Sequence, residues 1–303
     1  MKKIYLILAH DNPVLLERLI CRLHDGASSF IVHLDAKTDF RQFKFLEALP
    51  HVELVADRVR ISWGGIGCVI ATLKCMEMAI LNHKEGTVIL LSGQDYPVKS
   101  NGQIDSYLSN HRGNVFMETR YLKDRGHHSD RERKYKVEIS ENKGGIIMVA
   151  PGLSRLLVIL MLRRTISLSF ALRIATKKRK KLHIPFCTGS QWWAMDIQRL
   201  TELLAYIDDN KAALINHYRD SFIADEAFFQ TVAMHVWGQV EGVILPSLTF
   251  HHFEKHAPSP IVFKSMHQLD VLQSLPNRTL FARKFDANSG KLIDALDALN
   301  AAR

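Results

Sequence analysis

The chain has 303 residues, 47% hydrophobic and 23% charged, a balance that excludes a disordered protein and can fill a large α/β core. Lysine and arginine outnumber acidic residues by 40 to 31, for a formal net charge of +9. Such an excess points to a polyanionic partner: nucleic acid, an anionic membrane surface or a phosphorylated substrate. Lys3 to Ala9 is strand-like. Its apolar run of about six residues is shorter than a signal-peptide h-region and no small-residue cleavage site follows, so it is read as a first strand. Asn12-Pro13 then starts a helix with apolar residues at Val14, Leu15, Leu19 and Ile20. Phe30 to Leu34 is a second strand ending at Asp35, Val52 to Val55 a short third, and Gly67 to Leu81 a helix with an apolar face. Thr87 to Leu91 is a fourth strand, β-branched and fully apolar at its centre. Ile104 to Leu108 belongs to a helix and Val115 to Met117 is a fifth strand. Repeated strand–helix units imply a mainly parallel sheet with right-handed crossovers, flanked by helices.

The middle differs. Arg120 to Lys136 is rich in Arg, Lys and His and reads as a polar loop. Leu156 to Leu162 is uninterruptedly apolar but far too short to span a bilayer. Arg163-Arg164 interrupts it, Ile166 to Ile174 resumes it, and Lys177-Lys178-Arg179-Lys180-Lys181 closes it. Leu156 to Lys181 therefore has two readings: a helix lying on anionic lipid, or a core helix with a solvated basic loop. Further on, Gly189 to Met195 is a strand, Ile197 to Ile207 and Asp225 to Val236 are helices, Val243 to Phe250 is a strand, and Leu292 to Ala302 is a short amphipathic helix. Residues 1–303 are expected to form one domain, with 1–119 holding a nucleotide and 120–303 supplying acceptor contacts and catalysis. Cys21, Cys68, Cys75 and Cys187 show no metal-type pairing. Cys68 and Cys75 lie about two helical turns apart, too far to bridge, so free thiols in a reducing compartment are expected. His252 and His256, four apart around Glu254, lie in a loop context and make no convincing metal site.

Four motifs occur in order: Leu90-Leu91-Ser92-Gly93-Gln94-Asp95-Tyr96-Pro97-Val98-Lys99-Ser100, Gly189-Ser190-Gln191-Trp192-Trp193-Ala194-Met195, Ala224-Asp225-Glu226-Ala227-Phe228-Phe229, and Leu280-Phe281-Ala282-Arg283-Lys284-Phe285-Asp286. Together they resemble the core-2/I-branching family of glycosyltransferases, which includes β1,6-N-acetylglucosaminyltransferases and peptide O-xylosyltransferases. The resemblance runs over nearly the whole chain to about Asp286. It implies a GT-A-type nucleotide-sugar-binding sheet and an inverting transfer from a UDP-sugar, N-acetylglucosamine first among the candidates, to a hydroxyl of a glycan or glycolipid acceptor, forming a β-linked branch. A UDP-xylose-dependent enzyme is the alternative.

Such a transfer needs a general base for the acceptor hydroxyl, positive charge for the departing diphosphate, and a site that holds the nucleotide and sugar. Many GT-A enzymes hold a divalent metal through Asp-x-Asp. No Asp-x-Asp occurs here, and the resembled family replaces the metal with protein cations, so no cofactor and no metal ligand are expected. Glu226, in the first turn of a helix whose dipole favours its ionised form, is the candidate base. Asp225 beside it reads as a helix-start or supporting residue. The resemblance selects Lys284 for the diphosphate. Strand alternation would turn the neighbouring Arg283 to the opposite face. The family's second cation, an Arg, has no counterpart between Ala257 and Asp270. Lys264 is the nearest substitute and Lys255 the next. The resemblance further places Asp35, Arg60, Ser62 and Trp63 around the nucleotide and Gln94 and Asp95 at the donor sugar. Glu118, the Arg131 to Lys134 region, Trp193, Phe250 and His252 fall on the acceptor side. Alternation allows only one of Trp192 and Trp193 into a cleft.

A nucleic-acid- or lipid-binding module is the rival of another class. It would explain the charge and the basic run, but it leaves the Gly-Gln-Asp, Asp-Glu and Phe-Ala-Arg-Lys-Phe motifs without a role. The expected setting is the cytoplasm, peripheral on the inner face of the plasma membrane, with no nucleic-acid partner.

Overall fold

The computed structural model describes residues 1–121, 129–138, 140, 145–176, 182–254 and 259–301. β1 (Lys3–Ala9) is buried along its whole length, as a strand with parallel neighbours and helices on both faces must be. Asn12, at φ 51°, accepts through Oδ1 from the Leu15 N–H at 3.1 Å, and Pro13 opens α1 (Pro13–Leu23) where its missing N–H costs nothing. β2 (Ser29–Leu34), β3 (Val52–Leu54), α2 (Gly67–Asn82) and β4 (Thr87–Ser92) each lie within one residue of the predicted stretch. β5 (Asp95–Pro97) follows. α3 (Asn101–Ser109) starts on a capping box between Ser100 and Gln103, and β6 is Val115–Met117.

The stretch read as one polar loop holds β7 (Arg120–Tyr121), α4 (Ser129–Arg133) and the start of β8 (Tyr135–Glu138), which pairs antiparallel with β9 (Ile146–Val149). The interrupted apolar stretch is a helical hairpin: α5 (Arg155–Leu162), a turn with Arg164 at φ 55°, and α6 (Leu168–Thr176). Leu157, Leu160, Ala171 and Ile174 pack with Tyr135, Val137 and Val149 into a small separate core. The basic run from Lys177 to Lys181, like Lys255 and His256, lies outside the described residues.

β10 (Cys187–Thr188) pairs with β7. The predicted strand from Gly189 is shorter, as β11 (Trp193–Asp196). It leads through α7 (Ile197–Asp209) and α8 (Lys211–Arg219) to a 3₁₀ turn at Ala224–Glu226 and then α9 (Phe228–Trp237). The predicted strand from Val243 to Phe250 is two strands in two sheets, β12 (Ile244–Leu245) and β13 (Thr249–His251). Pro246 lies between them and has no N–H to continue a ladder. α10 (Leu269–Gln273), β14 (Phe281–Arg283) and α11 (Gly290–Ala301) follow.

The central sheet has seven strands in the order β12-β6-β11-β4-β1-β2-β3. Every adjacent pair is parallel except those of β11, which runs antiparallel to both β4 and β6. The fold is thus a mainly parallel sheet flanked by helices, as predicted. β11 comes from beyond residue 119 yet sits between strands from before it, so the two expected halves share one sheet. Ile4, Leu6 and Leu8 of β1 face a core that includes α2, α7 and α9 residues. Tyr5, Ile7 and Ala9 face the other, with α1, α3 and α11. Each such fully buried aliphatic contributes roughly 1.5–3 kcal/mol. From β1 the chain winds to β2 and β3 on one side, then returns to β4 on the other. The connections diverge at the carboxyl ends of β1 and β4, where open sheets leave a crevice.

Candidate functional site

Beyond β4 the chain turns through Ser92-Gly93-Gln94 into a second, three-stranded sheet, β13-β14-β5. Its register places His251 opposite Arg283 and Arg283 opposite Asp95. Three titratable residues therefore form one row across the sheet. Asp95 is fully buried, and one oxygen accepts from the Ser92 N–H. Its Oδ1 lies 3.4 Å from Arg283 Nη1. The Arg283 guanidinium stacks over the Trp192 ring, 4.1 Å from its centroid. Burial raises the Asp95 pKa despite Arg283. Burial also lowers that of His251, which senses the charges of Glu118, Arg283, Asp95 and Arg120.

The Asp-Glu motif faces the same cluster. Ile223 adopts φ 52°, a left-handed conformation that β-branched residues avoid, and is held there by donating its N–H to the Gly64 carbonyl at 2.9 Å. The Ala224–Glu226 turn follows at once. Glu226 Oε2 lies 3.2 Å from Arg131 Nη1, so α4 supplies a cation to the candidate base. The expected helix-dipole effect is not the dominant one: α9 starts only at Phe228. Burial pushes the Glu226 carboxyl up, and the Glu118 charge adds to this while Arg131 opposes it. Asp225 is pushed further, to about 7, by burial and then by the Glu226 charge. Its Oδ1 is buried with no hydrogen-bond partner. Asp225, expected to support a helix start, caps nothing.

The Gly-Ser-Gln motif builds the wall beside this turn. The Gly189 N–H donates to the Glu226 carbonyl at 2.9 Å. The Ser190 carbonyl accepts from Gln230 Nε2 at 2.6 Å, and Gln191 Nε2 donates to Cys68 Sγ at 3.0 Å. All four cysteines are free, and burial pushes the Cys75 and Cys187 thiols up to about 12, outside the range of reactive thiolates.

The donor-side residues sit at the carboxyl end of β2. Asp35 is buried and accepts through Oδ1 from the Lys37 N–H at 2.9 Å and the Ile61 N–H at 3.4 Å. The loop that carries Arg60, Ser62 and Trp63 is clamped to β2: the Val59 N–H donates to His33 Nε2 at 2.8 Å, and burial pushes His33 down to about 4, so it stays a neutral acceptor. Arg60 is exposed, Ser62 half-buried, and Trp63 is 37% exposed with its ring 5.5 Å from Phe222. Phe222 also lies under the Arg131 guanidinium at 6.0 Å, which links the donor loop to the Glu226 turn.

The remaining candidates divide. Glu118 is half-buried and pairs with Arg120 at 2.5 Å. Gln94 is half-buried and holds the motif together, its carbonyl accepting from the Phe285 N–H at 2.9 Å. Lys284 is half-buried. Its N–H donates to the Ile261 carbonyl at 3.2 Å and its carbonyl accepts from the Phe263 N–H at 2.7 Å, so the exposed Lys264 follows directly on its backbone partner. Arg283 corrects the alternation argument. It does not turn away from the cluster but stands at its centre, because the strand ends at Arg283 and the row with Asp95 and His251 fixes its side. Trp193 is also corrected: at 2% exposure it packs against Phe229 in the main core, so Trp192, not Trp193, meets the cluster. Phe250 is half-buried with its ring 6.2 Å from Phe263, and His252 is exposed beyond the end of β13. His251 takes the inward place in that strand; the only signal for it in the sequence was its parity against Phe250 and His252. Among the described residues no group of three His, Cys, Asp or Glu is placed to hold a metal ion. A cavity of about 530 Å³ beside Arg18, Arg22, Tyr96 and Asp297 lies among α1, α3 and α11, and its charged groups pair with one another.

The arrangement offers a half-buried carboxylate steered by an arginine, next to a second carboxyl whose pKa burial raises, in front of a row of charge at the crevice. Comparison with known proteins gives this a context. A model of the core-2/I-branching enzyme family matches residues 4–270. A xylosyltransferase, oxt, of Drosophila pseudoobscura pseudoobscura is 31% identical over 104 residues, 33% of this chain and 12% of that protein. A human N-acetyllactosaminide β-1,6-N-acetylglucosaminyl-transferase is 31% identical over 116 residues, 36% of this chain and 28% of that protein. A Danio rerio β-1,3-galactosyl-O-glycosyl-glycoprotein β-1,6-N-acetylglucosaminyltransferase 4 is 28% identical over 120 residues, 38% of this chain and 28% of that protein. The chain thus spans less than a third of the length of each of these relatives.

Proposed function

Because the chain belongs to the core-2/I-branching enzyme family, we propose that it is an inverting, metal-independent glycosyltransferase of the GT-A type. It moves a sugar, N-acetylglucosamine, from a UDP-sugar to a hydroxyl of a glycan or glycolipid acceptor and forms a β-linked branch. Glu226 takes the acceptor proton as the oxygen attacks the anomeric carbon from the side opposite UDP. Lys284, with Lys264 near it along the backbone, neutralises the departing diphosphate. Asp35 and the loop of Arg60, Ser62 and Trp63 hold the nucleotide. The observation that carries this reading is Glu226 itself: a carboxylate raised in pKa by burial, steered by Arg131 at 3.2 Å, on a strained turn facing the Asp95–Arg283–His251 row. A base of raised pKa is better matched to neutral pH than an ordinary glutamate. Glu226→Gln keeps the shape but cannot take a proton, so turnover should fall about a hundredfold or more while UDP binding stays nearly intact. Wild-type turnover in that variant would remove Glu226 from the role. The presence of xylosyltransferases among the relatives supports a second reading, UDP-xylose as donor. A thermal-shift screen decides between the donors, since a ligand at about 100 times its dissociation constant stabilises by about 2.7 kcal/mol.

A further inference from the structure

Residues 142–195 contain ten Lys and Arg and no Asp or Glu. Without that segment the chain carries thirty basic and 31 acidic residues, so the segment accounts for the entire positive excess. The same segment contains the α5–α6 hairpin. Its inner face packs on β8 and β9, while its outer face presents Leu153, Leu156, Ile159, Leu162, Leu168 and Leu172, with Leu153 81%, Leu162 74% and Leu168 63% exposed. Arg155, Arg163 and Arg164 are exposed beside these residues, and the run from Lys177 to Lys181 continues the chain after α6. The hairpin is tied down from behind. The Gly152 N–H donates to the Ile174 carbonyl at 2.8 Å, and Arg173 pairs with Asp220 at 3.0 Å.

We propose that this hairpin docks the protein flat onto an anionic phospholipid bilayer. The inference is independent of the transfer reaction. Helices of 8 and 9 residues reach about 12–14 Å, less than half of a hydrocarbon core of about 30 Å, so the hairpin lies in the interface and does not cross it. No described helix is long and apolar enough to cross a membrane. Charge selects the occupant. A protein partner meets an apolar patch with a polar rim, whereas every charged residue of the described hairpin, 145–176, is an arginine. Nucleic acid would satisfy the arginines but offers no apolar phase for the leucines. An anionic leaflet takes both: acyl chains receive the leucines and phosphate headgroups the arginines.

The test is sedimentation of the full chain with phosphatidylcholine vesicles, with and without phosphatidylglycerol, at low and high salt. Wild type should sediment with the anionic vesicles at low salt and be released at high salt. Arg163→Gln with Arg164→Gln should weaken partitioning about thirtyfold, each charge near an anionic surface being worth roughly a factor of five. Leu162→Ser with Leu168→Ser should weaken it about tenfold or more. Both leucines are exposed, so an unchanged melting temperature and circular dichroism spectrum certify the fold. Wild type that stays in the supernatant, or leucine variants that sediment as it does, would overturn the proposal. So would self-association without lipid that the leucine substitutions abolish, since a second copy would then cover the face.

Discussion

Gly189→Ala should damage both stability and turnover. A Cβ built on Gly189 lies 1.7 Å from the Glu118 carbonyl oxygen and 2.6 Å from its carbonyl carbon. The obstacle is backbone, in the short connection between β6 and β7, and cannot rotate away as a side chain could. Overpacking that side chains can relieve costs about 1–3 kcal/mol, so this substitution should reach at least about 3 kcal/mol. In a chain of this size that is about 6 °C in melting temperature, at roughly 2 °C per kcal/mol. Relief requires Glu118 and the segment before Trp192 to move apart, and the same glycine N–H holds the Glu226 carbonyl at 2.9 Å. Displacing a catalytic group by about 1 Å can cost about a hundredfold in rate. Scanning calorimetry and turnover with a UDP-sugar measure both effects. Gly102→Ala is the control: nothing lies within 4 Å of its Cβ position in α3, so it should be neutral or stabilise by up to about 1 kcal/mol. A Gly189→Ala protein that melts and turns over like wild type would refute the steric reasoning and the link from this turn to Glu226.

Turnover should rise with pH along an acid limb above the ordinary carboxylate range, because Glu226 acts deprotonated and its pKa is raised by burial and Glu118. Arg131→Gln removes the opposing cation and should move that limb to higher pH; a pH–rate profile showing no shift would separate Arg131 from Glu226. Arg283→Met leaves Asp95 buried without its cation and should cost about 3–5 kcal/mol; thermal melting at the wild-type temperature would rule that pairing out. Lys284→Ala should leave the melting temperature unchanged and weaken UDP far more than uridine by calorimetry, and equal effects on both ligands would place the diphosphate elsewhere. Transfer should survive EDTA, since the chain has no Asp-x-Asp; loss on chelation with rescue by manganese would reverse the proposal of metal independence.

Local pattern carried the first half of the fold. β1, β2 and β4 are apolar runs because a parallel strand covered by helices buries both faces, and β6 is Val115–Met117 as predicted. The order of strand and helix in that half follows from chain-local periodicity, and the four motifs that carry the family resemblance are contiguous in sequence. What failed to show locally depends on partners far along the chain. The sequence pattern, read as extended chain, separates His251 from His252 and Arg283 from Lys284, but parity cannot say which face meets the crevice, nor that β13 and β14 end at His251 and Arg283. The register with Asp95 decides it, and that contact joins residues 188 apart. Trp193 reads as an aromatic that could stack on a sugar until β11 is seated between β4 and β6, which buries it. The pKa shift of Asp225 is a tertiary property, since desolvation is made by everything that packs around it. The hairpin of α5 and α6 was legible as apolar and basic; which leucines stay outside was decided only when β8 and β9 covered the other face.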